Sequence, residues 1–522
     1  MNRLRQQLQN SIRFRPFMFV GLGLMAGILF GEAQPTMDGR WAWLGFGAVL
    51  LWGLIWWLAP RRQEVIRFLV PGLLLPLCIG GSLGHRVRPD FPAGIENWLE
   101  KPLIAAFSIT KLRTSEGGNC PYLEAELTAV KGKTHFAAPL KPVKVWVSCR
   151  TLPEKQIKVG SAMSAIVKLE RLDSTLPSGF ANYLHRQNIF LSAEVVRWKS
   201  VRNPADSWQR FQGYFRRKLA KAMPSDLERP IAQALLLGDR SELPRRTQED
   251  YRAAGLAHLL ALSGTHVSVL LLLFGGLQRL LQQLLRTRWL PPLVTLVLLW
   301  GFVLVTGASP SIVRAGLFTS LLVVPVLLRR DADLFNVLAF TLVVHLLFAP
   351  EALFDIGFQF SYAAVLGIFI WEPIFERAYR NLPTYGQYLI QLGSVSISAT
   401  LGYALLQALH FQSFNSYFLL SNVAVTGLAF LVILIGFLLL VLHWVPEVSA
   451  FLGYLLEWGL WAMNRIAEYF ASLPGATLEW EEGSTHPAWW VASFILLQGT
   501  GLAINASIRK THERYRLPLQ VR

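Results

Sequence analysis

Long apolar segments separated by short polar loops recur through the chain and limit what it can fold into. Hydrophobic residues make up 53% of the 522 residues, and the mean hydropathy is +0.38. A soluble protein rarely has this composition, whereas a helix that crosses a bilayer needs about 20 apolar residues. We therefore predict a polytopic α-helical membrane protein with about 12 spans. The predicted spans lie near residues 17–30, 41–59, 68–84, 256–281, 291–306, 311–328, 334–348, 358–370, 388–406, 417–442, 451–470 and 488–504.

The positions of Lys and Arg predict the orientation of these spans. The net charge is +17, which in a soluble protein would suggest nucleic-acid binding but in a membrane protein can reflect positively charged cytoplasmic loops. Basic residues occur at the N-terminus, in the loops with Arg286 and Arg288, Arg329 and Arg330, and Arg377 and Arg380, and in the tail. The alternate loops at 307–310, 349–357, 407–416 and 473–487 contain no Lys or Arg. Three spans before residue 86 and nine after residue 237 place every basic loop, and both termini, in the cytoplasm.

Between residues 86 and 202 the pattern changes to short alternating apolar and polar runs separated by Gly, Pro, Asn and Lys. Alternation with a period of two is typical of half-buried strands, and about five such strands suit an OB-like barrel. We therefore predict an extracytoplasmic all-β OB-like domain, inserted after the third span. The predicted organisation is a three-span segment (1–85), this β-domain (86–202), interfacial amphipathic helices (203–237), a channel domain of about nine spans (238–506) and a basic cytoplasmic tail (507–522).

Two of the three cysteines, Cys120 and Cys149, lie in the β-domain, and Cys78 lies in an apolar run. Two cysteines in one domain suggest a disulfide if the compartment is oxidising, and the predicted topology places this domain outside the cytoplasm. Such a bridge closes a loop of about thirty residues and contributes roughly 3–4 kcal/mol in the chain-entropy model.

Aromatic and basic residues alternate after Ser207, which is typical of a helix lying in the membrane interface. Residues 230–238 are predicted to form a second short helix of that kind.

The stretch 234–270 combines polar residues with a strongly apolar segment. Gly238, Asp239 and Arg240 follow an apolar run, which indicates either an ordinary helix C-cap with a surface Asp–Arg pair or a polar turn at the mouth of a pathway. His258, Ser263 and His266 follow within a predicted span. The two histidines are eight apart, so on a straight helix they share one side.

Several readings of these three residues remain open. A broken or small-residue-lined helix with polar side chains turned inward is preferred, and hydrogen bonds between helices are the simpler alternative. A metal site lacks a carboxylate and the H-E-x-x-H pattern, and a Ser263 nucleophile lacks the G-x-S-x-G pattern. We predict no metal, no cofactor and no catalytic residue.

Two further polar positions lie at helix ends on the predicted outer side. Arg314 follows a Pro-containing turn, where it either snorkels to the interface or offers a cation to phosphate within a cavity. Asp355 and Gln359 are four apart on one helical face. Asp355 either stabilises a helix N-terminus or pairs with Arg314 or Arg240.

The β-domain carries cations with aromatic residues among them. Cations follow a phosphate backbone and aromatic rings stack on bases, although a charged run is more often a solvated face. The candidate DNA-binding residues are Lys131, Lys133, Lys144, Trp146 and Arg186.

Three segments, together with the β-domain segment 176–190, resemble the ComEC family of bacterial competence proteins. These segments are residues 234–270, 307–318 and 336–369. The family pattern carries over onto Gly238, Asp239, Arg240, Gly255, His258, Ser263, Gly264, His266, Ser309, Arg314, Asp355, Gly357, Gln359 and Ser361. Cys120 and Cys149 match the disulfide expected in the family's extracytoplasmic OB-fold. Many members end in a metallo-β-lactamase-like domain, and no H-x-H-x-D-H run occurs here, so the resemblance is to a form without it.

The resemblance implies a channel for single-stranded transforming DNA in the bacterial cytoplasmic membrane, with several partners. These are a periplasmic DNA-receptor protein, a cytoplasmic helicase or translocase and a separate nuclease, because the sequence has no G-x-x-x-x-G-K-[ST] motif and no nuclease motif. The expected DNA path comprises Asp239, Arg240, His258, Ser263, His266, Arg314, Asp355 and Gln359. The alternatives are a transporter of a small or lipid-linked anionic solute, and a membrane-embedded hydrolase using Asp239, His258 and Ser263.

Overall fold

The computed structural model shows a sheet region followed by a large helical region. It describes residues 16–33, 73, 76–84, 99–113, 122–131, 136–137, 143–149, 161–172, 184–185, 189–202, 207–240, 242–261, 264–285, 290–306, 309–328, 333–480 and 493–505. The predicted span at 41–59, the N-terminal basic segment, Cys120 and the basic tail lie outside these residues.

Six strands form the sheet, in the part of the chain where alternation predicts them. They are β1 (Pro102–Arg113), β2 (Tyr122–Lys131), β3 (Phe136–Ala137), β4 (Val143–Cys149), β5 (Ala162–Arg171) and β6 (Ile189–Arg202). Their order is β1-β5-β6-β4-β2-β3, and a further pairing of β1 with β2 closes the five longer strands into a ring. The β4–β6 pairing is parallel and the others are antiparallel.

Alternate residues of these strands point into one shared core, as the period of two requires. Ala105 and Phe107 of β1 pack with Val145 and Val147 of β4 inside the ring. The prediction of a β-domain in this region is therefore confirmed as a sheet. The disulfide stays a prediction, because Cys120 lies outside the described residues.

In the helical region, each described segment in which a span is predicted contains one helix. Three shorter or more polar helices precede these segments. With the N-terminal helix, they are α1 (Pro16–Ala33), α2 (Ser207–Ala222), α3 (Arg229–Leu237), α4 (Arg245–Ala253), α5 (Gly264–Leu285), α6 (Leu290–Val305), α7 (Pro310–Leu328), α8 (Leu334–Phe348), α9 (Ile356–Tyr379), α10 (Thr384–Phe411), α11 (Phe418–Leu442), α12 (Pro446–Ser472) and α13 (Ser493–Asn505). Residues 76–84 are also helical, and a 3-10 helix (Pro350–Phe354) precedes α9.

Three helices in the described part of the chain are long and apolar enough to cross a membrane. They are α9, the segment Gly386–Phe411 of α10, and α11. A mostly helical chain with such segments fits a membrane protein, and the number of about 12 spans stays a prediction.

Close helix contacts depend on glycine. Gly367 of α9 faces Gly402 of α10, and a Cβ at Gly367 would overlap the Ser398 carbonyl oxygen and lie 2.6 Å from the Gly402 Cα. Small residues let the two backbones approach to this distance. The close approach increases van der Waals contacts between the helices, and these contacts drive helix association in lipid, where the hydrophobic effect does not.

Pro373 interrupts the hydrogen bonding within α9, and α13 compensates. Pro373 has no N–H, so the Phe369 carbonyl one turn earlier loses its usual donor. The Asn505 side-chain amide of α13 lies 3.3 Å from both the Phe369 and Ile370 carbonyl oxygens. A neighbouring helix thus satisfies the backbone group that proline frees, as apolar surroundings require.

Two predictions for the segment between the sheet and the bundle have different outcomes. Residues after Ser207 do form a helix, α2. The prediction that residues 230–238 lie at the interface as a surface helix is wrong, because every residue of α3 from Ile231 to Leu237 is buried. Its apolar side chains pack with α11 and α12 in the largest core cluster.

We expect Gly367→Ala to destabilise the α9–α10 contact by about 1–3 kcal/mol, because overpacking forces the two backbones apart. Thermal denaturation of the protein in detergent measures the change as a lower midpoint. Gly427→Ala is the matched control, because a Cβ at that position meets nothing within 4 Å. Equal midpoints for the two variants would contradict the close-contact argument.

Candidate functional site

Two groups of polar residues lie in the helical region. We call the first the entrance cluster; it comprises Arg216, Asp239, Arg240 and His258. We call the second the Arg314 pocket; it comprises Arg314, His345, Asp355, Phe358 and Tyr362.

The entrance cluster is built on the turn after α3. Gly238 ends this helix with φ +73°, a left-handed conformation that glycine adopts without strain. The turn brings Asp239 to α2, where an oxygen of its carboxylate lies 3.2 Å from Arg216 Nη2. Gly238 is therefore a C-cap, as the simpler reading holds, but Asp239 pairs with Arg216 rather than with Arg240.

Arg240 reaches in the other direction, to the segment that joins α4 and α5. Its Nε donates a hydrogen bond of 3.1 Å to the Leu260 carbonyl oxygen. Its side chain is solvent-accessible, yet burial among protein atoms lowers its pKa. Arg240 is therefore an accessible cation that contacts the backbone between α4 and α5.

His258 lies in this same joining segment, not in a helix. The structure agrees with a broken helix at this place, but residues 256–261 at the start of the predicted span over 256–281 are not helical, so His258 and His266 do not share one side of a straight helix. The helix α4 ends at Ala253, residues 254–261 form turns, and α5 begins at Gly264. The reason lies at Gly255, whose φ of +74° terminates the helix and whose missing Cβ leaves room for Phe418.

Asn415, in the connection between α10 and α11, and Ser421, on α11, stabilise this break by hydrogen bonds to the end of α4. Asn415 Nδ2 donates to the carbonyl oxygens of Arg252 and Ala253 at 2.9 and 3.1 Å. Ser421 Oγ donates to the Ala254 carbonyl oxygen at 2.6 Å. These bonds satisfy the carbonyls that the end of α4 leaves without helical partners.

His258 has an accessible side chain, but burial lowers its pKa and outweighs a hydrogen bond with the Gly255 backbone. His258 therefore has the same combination of accessibility and close protein surroundings as Arg240. Ser263 lies outside the described residues. His266, on the first turn of α5, is 1% exposed and does not line an open surface.

The Arg314 pocket is enclosed by α7, α8 and α9. Arg314 is 4% exposed, so it neither snorkels to an interface nor lines an open mouth. Its Nη2 donates to Ser311 Oγ at 3.0 Å and to the Gly357 carbonyl oxygen at 2.9 Å. Its guanidinium carbon lies 5.8 Å from the centre of the Phe358 ring.

Asp355 caps the N-terminus of α9. Its Oδ1 accepts a 2.8 Å hydrogen bond from the Phe358 N–H, which is the simpler of the two roles expected from the sequence. Its charge also acts on Arg314. Gln359 lies one turn later, where its Oε1 is 3.0 Å from His410 Nε2 and its Nε2 donates to the Leu353 carbonyl oxygen at 2.9 Å.

His345 and Tyr362 belong to the pocket, and the sequence analysis missed them. Both rings contact Phe358: the His345 ring meets it edge-on with centroids 5.0 Å apart, and the Tyr362 ring is tilted against it with centroids 4.6 Å apart. The charge of Arg314 acts on both. The signal that could have found His345 is an ionisable residue within an apolar helix.

Packing connects the two clusters. Val267, next to His266 on α5, packs with Ile312, two residues before Arg314 on α7. The structure therefore brings Arg314 close to Asp355, and Arg240 close to the segment that contains His258. The helices α5 and α7, which follow and carry these groups, pack against each other.

The candidate DNA-binding residues of the β-domain differ in their exposure. Lys144 is exposed on β4, opposite Glu126 of β2. Lys131 ends β2, and Lys133 and Arg186 lie outside the described residues. Trp146 is 3% exposed, on the face of β4 opposite Val145 and Val147. Its ring is therefore not accessible for stacking on a base, which corrects that prediction; the sequence pattern does not reveal that this outer face is covered.

In the described residues, no group of three or more His, Cys, Asp or Glu side chains could hold a metal ion. The fold and the two clusters define a helical protein with apolar, membrane-length helices, an additional sheet domain and buried cationic sites between its helices. The chain belongs to the family described as competence protein, whose match covers residues 235–506.

Two curated relatives are similar to somewhat less than half of the chain. The ComE operon protein 3 of Bacillus subtilis (strain 168) is 30% identical over 248 residues, which is 46% of this chain. The uncharacterized protein YcaI of Escherichia coli (strain K12) is 28% identical over 235 residues, or 44% of this chain. The aligned region spans 30% of the length of each relative. No solved structure matches the chain.

We expect stability to fall as the pH is lowered below 6.5, partly because of His258. Its folded-state pKa lies below the ordinary value of 6.5, so the unfolded chain binds a proton that the folded chain resists. The contribution is fully present above pH 6.5 and is lost as the pH falls toward the folded pKa. Thermal midpoints between pH 7.5 and 5.5 should fall less steeply for His258→Gln; parallel curves would contradict this assignment.

Proposed function

We propose that this protein is a channel that carries single-stranded DNA across the bacterial cytoplasmic membrane during natural competence. The competence family and the apolar helices support a membrane protein with a role in DNA uptake. The single observation that carries the channel proposal is the accessible guanidinium of Arg240, bonded to the backbone at the break between α4 and α5.

A DNA strand carries one negative charge per nucleotide, so it cannot cross hydrocarbon and needs a hydrated path with cations along it. Arg240 is accessible, so phosphates can approach its guanidinium. The break after Gly255 provides non-helical backbone at the same place. Such backbone is tolerated within membrane proteins where it is enclosed by protein or lines a water-filled cavity.

The sheet supports a DNA-receiving role outside the cytoplasm. Its five longer strands follow the ring order β1-β2-β4-β6-β5, with one parallel pair, which fits a Greek-key barrel of the OB type. OB-like barrels bind oligonucleotides on one strand face and in adjacent loops. Lys144 is the accessible candidate contact among the described β-domain residues, although Glu126 opposite it offsets its charge.

The remaining features of the proposal follow from the resemblance and the charge pattern. The chain spans the membrane about 12 times, both termini are cytoplasmic, and α2 lies in the interface. DNA arrives from a periplasmic receptor protein, a cytoplasmic helicase or translocase pulls the strand, and a separate nuclease degrades the other strand. The protein acts as a channel and not as an enzyme.

We expect Arg240→Gln to lower the entry of labelled DNA into the cytoplasm about tenfold or more while DNA binding at the cell surface persists, because an accessible cation at the path is removed. The measurement uses a strain without its own copy of the gene, complemented with each variant.

His266→Ala is expected to abolish transformation, because it alters the enclosed start of α5 beside the path.

Arg465→Gln is the matched control for Arg240→Gln. Arg465 is exposed on α12 and pairs with Glu468 one turn away, so its loss removes the same charge elsewhere on the molecule. Membrane fractions must contain equal amounts of all variants. Normal entry of DNA with Arg240→Gln, or an equal defect with Arg465→Gln, would argue against the entrance cluster as part of the path.

A further inference from the structure

Arg314 uses only part of its hydrogen-bonding capacity within the protein. Its Nη2 has two acceptors, Ser311 and Gly357, but Nε and Nη1 are buried and have no acceptor among the described residues. Enclosing a guanidinium and leaving donors unsatisfied costs free energy, because water no longer solvates them. A guanidinium that served only to fasten helices together would be expected to direct all its N–H groups at protein acceptors.

Two side chains near Arg314 also have buried polar atoms whose hydrogen-bonding capacity is not used within the described residues. The Tyr362 hydroxyl and the His345 Nδ1 are also buried without a hydrogen-bond partner in the described part of the chain. Both rings flank Phe358, over which the Arg314 guanidinium lies. Uncommitted polar atoms from three helices therefore surround one aromatic ring, although buried polar atoms are normally paired.

The chemistry of these atoms indicates their ligand. A guanidinium and a phenol donate hydrogen bonds, and an imidazole donates or accepts according to its tautomer, so the ligand must offer acceptor oxygens. Arginine binds phosphate oxygens with paired N–H groups in a fixed geometry. Asp355 is the nearby negative charge, which favours an anion with one negative charge over one with two.

Gly357 contributes space as well as its carbonyl oxygen. A Cβ at this position would lie 3.1 Å from Asp355 Oδ1 and 4.0 Å from Arg314 Nη2. Glycine therefore keeps the region between the carboxylate and the guanidinium free of side-chain atoms.

We propose that the Arg314 pocket is a binding site for one phosphodiester group, held by Arg314 Nε and Nη1, the Tyr362 hydroxyl and the His345 ring. The identification of this group with the backbone of a DNA strand rests on the proposed function. The binding itself does not, because a phosphodiester is also the linkage in a phospholipid headgroup. The Arg314 pocket differs from the entrance cluster in the burial of its arginine, because Arg314 is 4% exposed whereas Arg240 is accessible.

Equilibrium dialysis of the full chain in detergent tests the site, with the dinucleotide thymidylyl-thymidine as a probe that carries one phosphodiester. We expect saturable binding that Arg314→Gln removes. Tyr362→Phe should weaken binding about tenfold or more, the usual effect of losing a hydrogen bond to a charged group. Arg465→Gln keeps full binding because it lies outside the pocket.

Tyr362→Phe also separates a ligand from a purely structural role. The hydroxyl has no partner in the described protein, and phenylalanine keeps the ring contact with Phe358. A structural role therefore predicts no change in dinucleotide binding for this variant. The phosphodiester site predicts weaker binding with an unchanged thermal midpoint in the absence of ligand.

Competition identifies the source of the phosphodiester. Soluble dihexanoyl phosphatidylglycerol that fails to displace the dinucleotide supports a nucleic-acid site, and displacement supports a phosphodiester site filled by lipid. Absence of saturable binding to the wild-type chain, or equal binding by wild type and Arg314→Gln, overturns the proposal. Dinucleotide binding is measured without DNA uptake, so the two proposals fail separately: saturable binding by the wild-type chain, together with normal DNA uptake in a strain that lacks the protein, would contradict the channel assignment alone.

Discussion

A polar group enclosed in an apolar helical bundle needs a partner, and this requirement organises the described helical region. Where α4 ends, Asn415 and Ser421 donate to its last carbonyls. Where Pro373 removes a backbone donor from α9, Asn505 of α13 approaches the freed carbonyl. Breaks in helices are therefore stable here because side chains from other helices replace the missing backbone bonds.

The same requirement gives the two arginines of the candidate site different properties. Arg240 bonds one carbonyl and remains accessible, so water and mobile anions can reach it. Arg314 is enclosed, has its Nη2 fixed by two acceptors and leaves its other nitrogens uncommitted. The first arrangement suits transient attraction of phosphates, whereas the second suits a defined ligand that completes the hydrogen bonding.

Sequence patterns predicted the positions of the helices and strands well. Apolar runs gave the bounds of α8 and α11 to within a residue, because a long helix in apolar surroundings has a continuous apolar sequence. The alternating runs predicted the sheet for an equally local reason. Local patterns placed the start of the span over 256–281 too early, because the residues after Gly255 are as apolar as a helix, and the end of α4 is stabilised by Asn415 and Ser421 far along the chain. They also failed for α3, because its amphipathic pattern does not distinguish a helix whose apolar face contacts lipid from one whose apolar face packs against α11.

The amino-acid sequence by itself determined the class of protein, the order of its elements and the identity of Arg240, Arg314, Asp355 and Gln359 as polar residues in unusual positions. Hydropathy and periodicity depend on neighbouring residues, so they can be read without a fold. Only the tertiary structure decided that Arg314 is enclosed, that Asp239 pairs with Arg216, and that His345 and Tyr362 join the same pocket. These relations connect residues up to tens of positions apart, and they arise from how helices pack, which no local pattern encodes.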